Sequence, residues 1–88
     1  MKIMVTFEIE KPFAEWHRAY SAHAEARRTA GISEVYCGHE LDNTAAVYCL
    51  FEAESLQSFN TFMTAPENAE FAANSGHLLE TTKAVALS

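Results

Sequence analysis

The strongest constraint on this chain is that its second half repeats the plan of its first. Phe7-Glu8-Ile9-Glu10 recurs as Phe51-Glu52-Ala53-Glu54, and nearly the same spacing carries Phe13, Trp16 and Tyr20 onto Leu56, Phe59 and Met63, with a one-residue difference in the loop. Each half reads as β-α-β. Ile3, Val5, Phe7 and Ile9 occupy alternate positions, the period-two pattern of a half-buried strand. Pro12 suits a first helical turn, the stretch to Ala30 is rich in Ala, Glu and Arg, and Gly31 is the natural stop. ISEVYCGHEL and TAAVYCLFEAE are β-rich runs around Asp42-Asn43-Thr44, which reads as a hairpin. Ser55 offers the N-cap of a second helix, which breaks and restarts at a capping box, Thr64-Ala65-Pro66-Glu67, and ends at Gly76. The tail ETTKAVAL supplies a last strand.

Two such units sharing one sheet predict a single α+β domain over residues 1–88. Its form is a ferredoxin-like βαββαβ sandwich, with a four-stranded antiparallel sheet, the first and third strands central and two helices on one face. The odd positions of strand one should point at the helices, leaving Met4, Thr6 and Glu8 on the open side. In one register of the hairpin, Val35, Cys37, His39 and Leu41 lie opposite Phe51, Cys49, Val47 and Ala45 on the helix side, with Tyr36, Tyr48 and Leu50 on the open side. An open patch of Tyr, Leu and Met on so small a domain calls for a cover, so a homodimer through the open sheet face is expected.

Composition narrows the partners. Twelve Asp and Glu against six Lys and Arg give a formal charge of −6, which disfavours nucleic acid and anionic membranes. MKIMVTFEIE lacks the unbroken apolar stretch of a secretory signal, and no run approaches a membrane span of roughly 20 apolar residues, so a cytoplasmic protein is expected. Cys37 and Cys49 lack the spacing of a zinc ribbon or redox pair and read as free thiols, since disulfides between adjacent strands are strained. His17 and His23, six apart on a helix, diverge by roughly 120°, so no metal site is expected.

The layout, the segment PFAEWHRAY, the Arg27-Arg28-x-x-Gly31-Ile32 exit from helix one and the Ser75-Gly76 exit from helix two resemble a family of small uncharacterised bacterial proteins. That family is similar to the dimeric α/β-barrel superfamily, which includes antibiotic-biosynthesis monooxygenases, haem-degrading enzymes and stress-responsive barrel proteins. The resemblance implies a dimeric α/β barrel and, by analogy with the monooxygenases, a substrate held between sheet and helices. The haem-degrading relatives use an Asn on the first strand and a Trp near the second helix. Here strand one has Thr6 and Phe7, and the second half has no Trp. No cofactor is therefore expected, although His77 is a lone histidine that could hold haem iron.

Winding helix one at about 100° per residue gathers Phe13, Trp16, His17, Tyr20, Ala24 and Arg27 on one face. Trp16, His17, Tyr20, Arg27 and His39 are the candidate ligand-binding residues: Trp16 as an apolar wall, Arg27 for charge, a histidine as proton acceptor. Each also has a structural reading. Trp16 and Tyr20 fit an ordinary core, the histidines could bond to backbone, and Arg27 and Arg28 could offset a helix dipole. Two functions stay open. One is a dimer binding a small organic ligand, with cofactor-free monooxygenase-like activity. The other is a non-catalytic stress-related or interaction module acting through its assembly. No catalytic residue is assigned, and whether the protein is an enzyme stays open.

Overall fold

The alternation in the first strand sets the floor of the core. In the computed structural model, which describes Met1–Ser88, Ile3, Val5, Phe7 and Ile9 are buried while Met4 and Thr6 are half-buried and Glu8 is exposed. This strand, β1 (Lys2–Ile9), is followed by α1 (Phe13–Ala22), α2 (Ala24–Thr29), β2 (Ser33–His39), β3 (Ala46–Glu52), α3 (Leu56–Met63), α4 (Pro66–Ser75) and β4 (His77–Leu87). The four strands form one antiparallel sheet in the order β2-β3-β1-β4, the βαββαβ arrangement with the first and third strands central. Trp16 and Phe59, equivalent in the internal repeat, pack with the inward residues of β1 and β3 into one apolar cluster. No helix is long and apolar enough to cross a membrane.

Helix one is two helices rather than one. Arg27 reaches back and donates from Nη1 to the Tyr20 carbonyl at 2.9 Å, the carbonyl that His23 N–H also uses at 3.1 Å. With that acceptor occupied, the i to i+4 ladder is interrupted at His23. The break in helix two lies where expected, but by a different device. Pro66 takes the first helical position, so Ala65 is the N-cap, and the Thr64 hydroxyl donates backward to Asn60 O at 2.8 Å instead of capping α4. Ser55 does cap α3, accepting from Ser58 N–H at 3.1 Å.

The hairpin register is right at Cys37 opposite Cys49 and His39 opposite Val47, and wrong beyond them. A bulge between Glu34 and Tyr36 sets Glu34, not Val35, opposite Phe51, which turns Val35 out to 52% exposure. Leu41 lies past the end of β2 and is fully solvated. A second irregularity matters more for the site. Thr6 pairs with Lys83 but Glu8 with Leu78, so several residues of β4 bulge out opposite Phe7. The Thr81 hydroxyl bridges the break, accepting from Glu8 N–H at 2.8 Å and donating to Leu78 O at 2.6 Å.

Candidate functional site

The helices leave a gap over the centre of the sheet. A narrow cavity of about 40 Å³ lies there, floored by Val5, Phe7, Cys49 and Phe51 and walled by residues of α1, α2, α3, α4 and the start of β4. The strand period puts the four floor residues on the helix side. The break before α4 swings Phe71 and Asn68 over them.

Trp16 is 1% exposed, lies against Phe7 and stacks on Tyr20 with ring centroids 4.9 Å apart. Its indole Nε1 is buried with no hydrogen-bond partner. Leaving such a donor unmet costs about 1–3 kcal/mol, so the group is an exception that needs a reason. Tyr20 donates its hydroxyl to Glu34 Oε1 at 2.7 Å. Burial, and then the bond to that carboxylate, push the phenol well above its ordinary pKa, against the opposing charge of Arg27. Tyr20 therefore stays protonated at neutral pH.

Arg27 is buried at 8% exposure, with its guanidinium carbon 3.7 Å above the Tyr20 ring. Both ion pairs of the fold, Met1 with Glu52 and Lys2 with Glu52, lie elsewhere. The buried guanidinium is held by one carbonyl and one aromatic face and makes no direct ion pair, the Glu34 carboxylate being bonded instead to the hydroxyl of the ring it covers. Asn68, also buried, is anchored by Nδ2 donating to Met63 O at 3.1 Å. His77 completes the far wall, stacked on Phe7 at 3.9 Å and bonded through Nε2 to the Thr82 hydroxyl at 2.7 Å. Burial holds its pKa down at about 4, against the attraction of Glu80, so the ring is neutral at physiological pH.

Of the five candidates from the sequence, Trp16, Tyr20 and Arg27 line this cavity. His17 does not. It borders a wider outer groove of about 310 Å³, together with Ser21, Arg28 and Glu34, and Tyr20 and Arg27 line that groove too. The Tyr20–Arg27 stack is thus the partition between the two spaces. His39 lines neither: it packs edge-on to Phe13 at 4.6 Å and donates from Nδ1 to Glu40 O at 2.8 Å. Met63, Asn68 and His77 were not among the candidates. Met63 was accessible through the repeat, because it is the counterpart of Tyr20 and lines the same cavity. Asn68 carried no such signal, and His77 stood out in the sequence only as a lone histidine that could hold haem iron.

No three His, Cys, Asp or Glu side chains converge as metal ligands. Nor do the residues fit haem, because His77 is already stacked and bonded, and about 40 Å³ beside it cannot take a porphyrin.

A family described as a domain of unknown function, DUF3764, matches residues 2–88. The chain belongs to the DUF3764 family. No curated protein matches it. Its fold, however, is that of solved antibiotic-biosynthesis-monooxygenase-like proteins. A candidate antibiotic biosynthesis monooxygenase of Bordetella bronchiseptica superposes with a TM-score of 0.76 at 9% identity, covering 96% of this chain and 90% of that one. A variant of SnoaB, a cofactor-independent oxygenase from Streptomyces nogalater, gives 0.71 at 12% identity over 99% of this chain and 89% of its own. A NIPSNAP domain protein from Burkholderia xenovorans gives 0.68 at 17% identity, with coverages of 100% and 93%. The DUF3764 chain therefore shares this ferredoxin-like fold across its whole length.

Proposed function

We propose that this protein binds a small, planar organic molecule carrying an oxygen acceptor between its helices and its sheet. Trp16, Tyr20 and Arg27 form the inner contacts, and His17 stands at the mouth. The observation that carries this reading is the Trp16 Nε1–H, buried without a partner in the wall of a cavity that also receives the buried Arg27. A ligand oxygen would satisfy the first donor and balance the second.

Size decides how the ligand sits. A water needs roughly 10–15 Å³, so the inner cavity of about 40 Å³ holds a few waters or one projecting group of a ligand. The outer groove of about 310 Å³ falls at the lower end of small-molecule sites, roughly 300–1,000 Å³. The body of the ligand rests in the groove on the Tyr20–Arg27 stack and its oxygen points inward. His39 acts only by bracing Phe13. The likeness of fold to SnoaB supports a cofactor-free, monooxygenase-like reaction on that ligand.

Trp16 is the chain's single tryptophan, so its emission reports occupancy directly. Titration with 1-naphthol, a planar phenol, is expected to quench it saturably. Arg27→Met should weaken the affinity about tenfold, the equivalent of one lost hydrogen bond near 1.4 kcal/mol. Linear, unsaturable quenching, or an affinity unchanged in Arg27→Met, refutes the site.

A second reading rests on the opposite face. Tyr36, Tyr48, Val85 and Leu87 are 56%, 37%, 54% and 42% exposed there, around half-buried Met4 and Leu50. That row supports a homodimer packed sheet to sheet, and with it a non-catalytic interaction or stress-related role carried by the assembly.

A further inference from the structure

We propose that Cys37 and Cys49 form a reversible dithiol/disulfide site on the helix side of the sheet, closed by a hydroperoxide and reopened by a thiol reductant. The two residues are directly opposed in the β2–β3 ladder, and their sulfurs are 3.2 Å apart. Opposed residues of antiparallel strands have Cα atoms about 4.5–5.5 Å apart, inside the roughly 4.4–6.8 Å range of disulfides, so closure requires no backbone rearrangement. Both thiols are free.

The pair is asymmetric in a way that orders the chemistry. Cys37 is half-buried on β2, an edge strand of the sheet, whereas Cys49 is 1% exposed on central β3. The hydrogen bond to Cys37, and then burial, hold the Cys49 thiol protonated well above its ordinary pKa. Cys37, the more exposed of the two sulfurs, is the one that meets the oxidant, and Cys49 the one that closes the bond behind it. The Cys37 thiolate attacks one peroxide oxygen and breaks the O–O bond. This forms a sulfenic acid, and the other oxygen takes back the proton that Cys37 gave up on ionising and leaves as water, or as an alcohol from an alkyl hydroperoxide. Cys49 sulfur then attacks Cys37 sulfur, and the sulfenic oxygen leaves as water with the Cys49 proton. Two thiols are oxidised and one peroxide is reduced.

A disulfide between directly opposed strands is strained and hence easily reduced, which suits a reversible site rather than a permanent staple. Cys49 also floors the inner cavity beside Phe7, so closure alters the wall that Trp16 and Arg27 share. The thiol chemistry itself does not depend on what that cavity binds.

Reduced protein treated with a small excess of hydrogen peroxide and read by intact mass without reductant should lose two hydrogens per chain. Both cysteines should become unreactive to iodoacetamide together, and dithiothreitol should restore both. Cys49→Ser should stop at the first step, leaving Cys37 as a sulfenic acid trapped by dimedone. Gain of oxygen by the wild-type protein without loss of two hydrogens overturns the proposal, as does a bond linking two chains. The wild-type arm needs no variant to fold.

Discussion

His77 provides the sharpest test of how the far wall of the cavity is built. Its neutral ring is stacked on Phe7 and bonded to Thr82, and burial lowers its pKa from 6.5 to about 4. The unfolded chain takes up this proton at about pH 6.5 and the folded one only near 4. Stability due to the neutral imidazole is complete above 6.5 and drains away as the pH falls towards 4. At about 1.4 kcal/mol per pH unit, the ceiling on this loss is about 3 kcal/mol. His77 is only half-buried, so solvent screening reduces the expected loss to about 1–2 kcal/mol. Urea unfolding followed by circular dichroism at about pH 7 and about pH 4 would measure it, with His77→Gln as the comparison. The carboxylates are common to both proteins and cancel in the comparison, Glu52, held low by the Met1 amino group 2.8 Å away, among them. The wild-type protein should therefore lose about 1–2 kcal/mol more than the variant over this span. Equal losses would mean that His77 is as well solvated folded as unfolded, and the account of the wall would fail.

Three further outcomes follow from particular contacts. Ser55→Ala removes the only side-chain cap in the helical layer and should cost about 1 kcal/mol in urea unfolding; no change would show that α3 does not rely on it. Gly76 ends α4 at φ +86°, and a Cβ there would meet Lys11 Cγ at 2.8 Å, while Lys11 Nζ donates to Asn74 O at 2.8 Å. Gly76→Ala should therefore cost about 1–2 kcal/mol, read as a lower melting temperature, and an unchanged melt would contradict the left-handed cap. Light scattering at micromolar concentration should give a dimer mass for the wild-type chain and a monomer mass for Leu50→Glu with Val85→Glu. A wild-type monomer would sink the sheet-to-sheet pairing.

Much of this architecture is legible in the sequence because it rests on local periodicity and repetition. Alternation in Lys2–Ile9 determines which side chains face the helices, and the echo of that strand in Phe51–Glu54 places a second central strand beside it. Gly31 and Gly76 mark helix exits because both take positive φ, a requirement visible in residue type alone. Trp16, Tyr20 and Arg27 lie on one helical face by spacing, and the structure brings all three to one cavity.

What only the tertiary structure decided turns on groups that meet across the fold. The break at His23 comes from Arg27 reaching back to the Tyr20 carbonyl, and the outward turn of Val35 from a bulge that no period-two pattern announces. His39 stays outside the site because its ring packs on Phe13, while His77 enters it because the β4 bulge leaves the ring against Phe7. The unpartnered Trp16 indole belongs to the same class. Whether a buried N–H finds an acceptor depends on every element packed around it, so the residue could be named from the sequence and its empty hydrogen bond could not.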